Sequence, residues 1–128
     1  MVKALTFLKR KAGMSVAEFQ EYWRTRHREV VIQLPGVRRY VQSHVLPAAY
    51  AKSEPVHDGI AEVWADDTDA LRAMTGSPEH TRVQADEAQF IDPSYDEKIR
   101  AFTRRGTQRA SRRALRASAS SEPAPSGQ

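Results

Sequence analysis

The chain has no cysteine. That excludes disulfides, thiol nucleophiles and cysteine-held metals, and it fits a reducing compartment. Long apolar runs are also missing. The first, Ala4-Leu5-Thr6-Phe7-Leu8, is closed by Lys9, Arg10 and Lys11, too soon for a signal peptide. No stretch approaches the roughly 20 apolar residues that span a bilayer. A soluble, cytoplasmic protein with no membrane contact is expected. The six glycines stand singly, so there is no phosphate-cradling loop and no dinucleotide fingerprint, and no Ser-His-Asp motif is visible. These absences argue against NAD, flavin and ATP. Four histidines are present, His27, His44, His57 and His80. None forms a His-x-x-x-His or His-Glu-x-x-His pair, so the spacing argues against a metal site. No cofactor is expected.

Basic charge is scarce where a nucleic-acid-binding fold would need it. The chain carries +4 overall, but from Arg104 onward there are six arginines against one acid. The tail therefore holds +5 and residues 1–103 hold −1. A nucleic-acid binder would want a basic face on the folded body; only a tail-mediated contact stays open.

What is present is enough for one domain of modest core. Residues 2–9 suit a first strand with no strongly polar face, hence a central one. Ser15 and Glu18 form a capping box, and Phe19, Trp23, His27 and Val31 recur every four residues as one helical stripe. Phe19 and Trp23 read as core. Pro35-Gly36 ends the helix. A second strand is expected over about Val37 to Leu46. Tyr40, Gln42 and His44 share one of its faces; Val41, Ser43 and Val45 share the other. The valine face is expected against the helices, and the Tyr-Gln-His face as a pocket wall. Pro47 to Pro55 reads as a polar loop. A third strand, about His57 to Trp64, places Gly59, Ala61 and Val63 together, small enough for a helix to approach closely; Asp58, Ile60, Glu62 and Trp64 share the other face. Helices start at Asp66–Asp69, closed by Gly76, and at Ser77-Pro78-Glu79, the second running to about Phe90 with Val83, Phe90 and Ile91 as anchors. A last strand is expected over about Glu97 to Thr103.

The order β-α-β-β-α-β predicts an α+β, ferredoxin-like fold, a four-stranded antiparallel sheet with helices on one face. The domain spans 1–103; Arg104–Gln128 reads as a disordered Arg-, Ser-, Ala- and Pro-rich tail. The second sheet face, bare of helices and expected to bear Phe or Leu with Tyr40, His44, Ile60 and Trp64, is too apolar for water and predicts a homodimer packed sheet on sheet around a cavity.

Several stretches resemble the EthD family of dimeric α+β barrels. They are Leu8-Lys9-Arg10-Lys11, Gly13-Met14-Ser15, Glu18-Phe19, Tyr22-Trp23 and His27. Leu34-Pro35-Gly36-Val37-Arg38-Arg39-Tyr40-Val41-Gln42 and His44-Val45 follow. Then come Asp58-Gly59-Ile60-Ala61-Glu62-Val63-Trp64, Asp86-Glu87-Ala88 and Phe90-Ile91-Asp92-Pro93. The resemblance covers about residues 2–103. The end of the last strand, Phe102-Thr103-Arg104-Arg105, departs from the more acidic or histidine-containing end usual in the family. The resemblance implies a dimeric α+β barrel. It also implies kinship with methylmuconolactone methylisomerase and with aromatic polyketide cyclases and dehydratases, which work without metal or organic cofactor. Haem, bound through histidine in some distant dimeric barrels, is a lower-ranked alternative.

Histidine titrates near neutrality and suits proton transfer. His44, beside Tyr40, is the first candidate for general acid/base. His27 is second, and the related isomerase uses a histidine at the corresponding helix position. Tyr40 would orient a carbonyl or phenol. Gln42 would donate to an oxyanion, and Asp58 or Glu62 would fix an imidazole tautomer or act as base. Ile60 and Trp64 would line the substrate cavity. His57 and His80 read as solvated surface. The expected function is a small enzyme binding a hydrophobic oxygenated molecule (a lactone, polyketide or aromatic) and catalysing isomerisation, cyclisation, dehydration or decarboxylation. The alternative is a non-catalytic ligand-binding or accessory protein of an oxidative, P450-type degradation or secondary-metabolism pathway.

Overall fold

A computed structural model of the chain describes residues 1–96 and 100–104. Strand β1 (Val2–Leu8) leads through a Gly13 turn to helix α1 (Val16–Tyr22), which continues through one π-helical turn, Trp23–His27, into α2 (Arg28–Val31). Then come β2 (Arg39–His44), a short helix α3 (Pro47–Tyr50), β3 (Gly59–Ala65), α4 (Thr68–Thr75), α5 (Pro78–Glu87), α6 (Pro93–Asp96) and β4 (Arg100–Arg104). The sheet order is β2-β3-β1-β4 with every neighbouring pair antiparallel. This is the expected ferredoxin-like split βαβ topology, with β1 central. The expected strand residues Glu97–Ile99 and the tail beyond Arg104 lie outside the described residues. Pro47–Tyr50 is a helical turn rather than loop, started by the proline at its first position.

The caps follow the sequence closely. The Ser15 side chain accepts from the Glu18 N–H, and the Glu18 carboxylate accepts from the Ser15 N–H. Asp67 and Ser77 cap α4 and α5, and Gly76 stands between them. Such caps contribute about 1 kcal/mol each.

Two clusters fill the space between helices and sheet. One joins Val31, Leu34, Ala65, Leu71, Met74 and Val83; the other joins Leu8, Phe19, Trp23, Phe90 and Ile91. The stripe Phe19, Trp23, His27 and Val31 is buried throughout.

The strand register corrects which face is which. Cross-strand partners put Lys3, Arg39 and Trp64 on one side, with Leu5, Val41 and Glu62, and Phe7, Ser43 and Ile60. None of their apolar members belongs to either core cluster, although Trp64 among them is buried. Tyr40, Gln42 and His44 lie on the opposite, helix-facing side with Gly59, Ala61 and Val63. The valine face of β2 was expected against the helices. Parity says which residues share a face, not which layer covers it. The indole and carbonyl of Trp23 give the Tyr-Gln-His face its partners.

Candidate functional site

The site is built around Trp23, which is fully buried. Gly59 lets it in. A Cβ on Gly59 would stand 2.4 Å from Trp23 Cζ3 and 2.6 Å from Cη2, so only glycine admits the ring against the sheet. Trp23 opens the π-helical turn, a widened turn that often marks a functional site.

Two groups of Trp23 organise β2. Its indole Nε1–H donates to Tyr40 Oη at 3.1 Å, and its carbonyl oxygen accepts from Gln42 Nε2 at 2.7 Å. Gln42 Nε2 also donates to Tyr40 Oη at 2.9 Å, and Gln42 Oε1 lies 2.9 Å from His44 Nε2. The His44 ring sits 4.4 Å from the Trp23 ring, centroid to centroid. Burial, with the charge of Arg24 nearby, holds His44 below its ordinary pKa. Burial pushes the Tyr40 phenol up to about 12, so it is protonated at neutral pH.

A second group comes from α5. The Asp86 carboxylate bridges two helical side chains: Oδ2 lies 2.7 Å from His27 Nδ1, and Oδ1 accepts from the Tyr22 hydroxyl at 2.7 Å. An ionised carboxylate only accepts, so Nδ1 carries the hydrogen and Nε2 is the basic nitrogen. The His27 ring packs 4.7 Å from Phe90, which fixes its plane. Burial and the Asp86 hydrogen bond push the Tyr22 phenol up to about 12.

Between these groups lies a mostly apolar cavity of about 70 Å³. Tyr40, His27, Thr6, Thr75, His80 and Glu87 supply its polar lining, among walls such as Val31 and Met74. Glu87 also raises the Tyr40 pKa, so its carboxylate acts on the phenol. An imidazole, a hydroxyl and a carboxylate thus converge on one small apolar space, well below the roughly 300–1,000 Å³ of a drug-sized ligand pocket.

Of the residues expected from sequence, Tyr40 and His27 line this cavity. His44 and Gln42 stand behind Tyr40. Gln42 is not aimed at a ligand oxyanion, because its amide hydrogens go to Trp23 and Tyr40. Asp58, Ile60, Glu62 and Trp64 lie elsewhere. Ile60, Glu62 and Trp64 are on the sheet face opposite the core clusters, where Glu62 pairs with Lys3 at 3.0 Å and Lys3 Nζ lies 4.8 Å from the Trp64 ring. Asp58 is fully buried and accepts from the Arg10 N–H (2.8 Å), Arg10 Nη1 (2.6 Å) and the Tyr50 hydroxyl (2.6 Å). It ties the 46–57 segment to the end of β1, so neither acid sets the His27 tautomer; Asp86 does. His80 was expected at the surface and instead lines the cavity, and His57 is half-buried, 4.9 Å from the Phe7 ring. Asp86 and Glu87 were not among the expected site residues, although both stood in the stretch carrying the family resemblance. Among the described residues no group of three or more His, Asp or Glu is placed to hold a metal ion, and no helix is long and apolar enough to cross a membrane.

The EthD domain model matches residues 11–94. The chain belongs to the EthD family. The matched span runs from the turn after β1 to the start of α6 and contains His27, Tyr40, His44 and Asp86. No curated protein matches the chain in sequence. Among solved structures, this EthD chain is similar to an EthD-family protein of Bacillus halodurans. That match has TM-score 0.59 and 17% identity, and covers 80% of this chain and 94% of the other. A dimeric ferredoxin-like protein of unknown function from Thermobifida fusca matches with TM-score 0.56 and 15% identity, over 80% and 86% of the two chains. SnoaB, a cofactor-independent oxygenase from Streptomyces nogalater, matches with TM-score 0.57 and 15% identity, over 83% and 94%. At these identities the likeness establishes the fold, and function must be argued from the site.

Proposed function

We propose that this EthD chain is a cofactor-independent enzyme that moves a proton on a hydrophobic, oxygen-bearing small molecule held between helices and sheet. The observation that carries this reading is the Asp86–His27 pair, 2.7 Å apart, with His27 lining the same cavity as Tyr40. His27 Nε2 takes a proton from a carbon beside a carbonyl. The C–H electron pair becomes the new C=C bond, and the carbonyl oxygen takes the negative charge. Asp86 stabilises the imidazolium that forms. Return of the proton to another carbon gives isomerisation; loss of a neighbouring hydroxyl, protonated by the same imidazolium, gives dehydration. The substrate is a lactone, polyketide or aromatic precursor. SnoaB, described as a cofactor-independent oxygenase, supports the reading that this fold runs chemistry without a cofactor. We also propose a homodimer through the sheet face turned away from the core clusters, closing a dimeric α+β barrel, a reading supported by the dimeric relative from Thermobifida fusca and by the apolar content of that face.

The test is turnover of a panel of enolisable lactones and polyketide-like ketones by purified protein. His27→Ala should lower kcat by about 10²–10⁴-fold. Asp86→Asn keeps the shape but no longer imposes the Nδ1–H tautomer, and should lower kcat by a similar order with a shifted pH profile. Turnover unchanged in both variants would remove the mechanism. Tight ligand binding with no turnover in the wild type would leave the chain an accessory binding protein.

A further inference from the structure

The hydrogen bonds around Tyr40 have a direction that can be worked out from the chemistry of their ends. The Trp23 carbonyl oxygen can only accept, so the Gln42 atom 2.7 Å from it is the amide nitrogen. The second hydrogen of that nitrogen goes to Tyr40 Oη at 2.9 Å. The indole Nε1–H of Trp23 can only donate, and it also ends on Tyr40 Oη, at 3.1 Å. Both acceptor positions of the phenol oxygen are therefore filled. Gln42 Oε1, an acceptor, faces His44 Nε2 at 2.9 Å, so that ring nitrogen carries a hydrogen. Protonation of His44 would add a hydrogen at Nδ1 and leave this bond in place. Held from behind by two donors, Tyr40 has only its own O–H left to offer, and it lines the cavity together with the Glu87 carboxylate, whose charge opposes an anionic ligand.

We infer that the His44–Gln42–Trp23 network makes Tyr40 a one-way donor, so that the cavity selects ligands presenting an anionic oxygen, an enolate or phenolate, to the phenol. This rests on the proposed proton transfer and deepens it: the oxygen that gains charge when His27 takes the proton is the one Tyr40 receives. Tyr40 touches the ligand; Gln42 and His44 are positioning residues that act through it. Donors already ending on the phenol oxygen polarise its O–H and strengthen its donation.

The probe is 4-nitrophenol, whose ionisation is read by its colour when bound to the full chain, in wild type and in a His27→Ala, Glu87→Gln background so that neither the imidazolium nor the Glu87 carboxylate contributes. The bound probe should ionise about one pH unit below the free probe, a tenfold preference for the phenolate, in line with a hydrogen bond to a charged group. Tyr40→Phe should abolish the preference. Gln42→Glu replaces a donor with an acceptor, so the phenol hydrogen turns away from the cavity and the preference should vanish or reverse. His44→Phe keeps a ring against Trp23 but has no N–H, and should lose part of the preference; His44→Gln, which can donate to Gln42 Oε1, should restore it. An unshifted probe, a shift that survives Tyr40→Phe or Gln42→Glu, or no binding at millimolar probe would each overturn the inference. Phenolate selectivity with turnover indifferent to His27→Ala would remove the proton-transfer reading alone. Turnover that depends on His27 with no phenolate selectivity would remove this inference alone.

Discussion

Gly59→Ala is the sharpest single perturbation of this chain. The new methyl would stand 2.4 and 2.6 Å from two ring carbons of Trp23 and 3.3 Å from the Ser43 carbonyl oxygen. Carbon–carbon contacts are comfortable at about 3.5–4.0 Å, so the ring or the strand must move by about 1 Å. Trp23 is held on several sides. It is wholly buried, its indole N–H is bonded to Tyr40, and its ring lies against His44 and 5.7 Å from Phe19. Overpacking of this kind costs about 1–3 kcal/mol. Displacing the ring also loses the bond to Tyr40, about 1 kcal/mol. A total of about 3 kcal/mol would lower Tm by about 15 °C in a domain of this size. The assay is urea unfolding followed by tryptophan fluorescence, with a shifted midpoint at unchanged slope. A double-mutant cycle with Trp23→Phe isolates the cause: Phe lacks the clashing ring atoms, so Gly59→Ala should cost at least 1 kcal/mol less in that background. Additive penalties, or a Gly59→Ala protein within about 0.5 kcal/mol of wild type, within the ordinary scatter of surface substitutions, would refute the packing argument.

Gly36→Ala should cost only about 1–2 kcal/mol by the same measurement, because nothing lies within 4 Å of its added Cβ and the penalty is the positive φ of 78° alone. Asp58→Asn should destabilise by about 2–4 kcal/mol, since it leaves Arg10 without its buried counter-charge, and should speed proteolysis within residues 46–57. Burial pushes Asp58 up, but hydrogen bonds from the Arg10 backbone, Tyr50 and the Arg10 side chain, with the charge of Lys9, outweigh it and hold the carboxyl below its ordinary value. Its contribution is thus present in full above the ordinary carboxylate pKa of about 4 and is lost as pH falls through the lower folded value; the Asp58→Asn protein should lack that part of the acid-unfolding curve. Val41→Lys places a charge in the middle of the sheet face turned away from the core clusters, opposite Glu62. It should leave the protomer folded and shift sedimentation from dimer to monomer at micromolar concentration; a wild-type monomer, or a Val41→Lys dimer, would remove the proposed barrel.

The topology was legible because each local signal agreed with the next. Ser15 with Glu18, Asp67, and Ser77 before Pro78 mark helix starts, and the four-residue recurrence from Phe19 to Val31 marks the buried stripe. The small residues Gly59, Ala61 and Val63 were rightly read as the face a helix approaches. The assignment of β2 failed for a physical reason. A sheet covered by helices on one side and left apolar on the other has no simple inside and outside. Val41 is as fit for a subunit interface as for a core, and Tyr40 and Gln42 are as fit for a core as for a pocket, once a donor and an acceptor wait there. Asp86 was hidden for a different reason. Its partners, Tyr22 and His27, lie on another helix about sixty residues away, and no spacing rule reaches across that distance.

The same geometry changes what a core residue means in this chain. Trp23 looks like ordinary ballast of an amphipathic helix. Yet its ring fixes the close approach to Gly59, its indole N–H fixes Tyr40, and its carbonyl orients Gln42 and through it His44. Gly59 and Tyr40 through the side chain, and Gln42 with His44 through the main-chain carbonyl, therefore converge on Trp23, and stability and site geometry are coupled through it. A substitution that relieves packing at Trp23 cannot leave the phenol of Tyr40 aimed as it is. Trp23→Phe should thus cost more in phenolate selectivity than in stability when compared with Phe19→Leu, a change in the same cluster that touches none of these polar groups. Near-equal losses in the two variants would mean that the network orients nothing and that Trp23 only fills space.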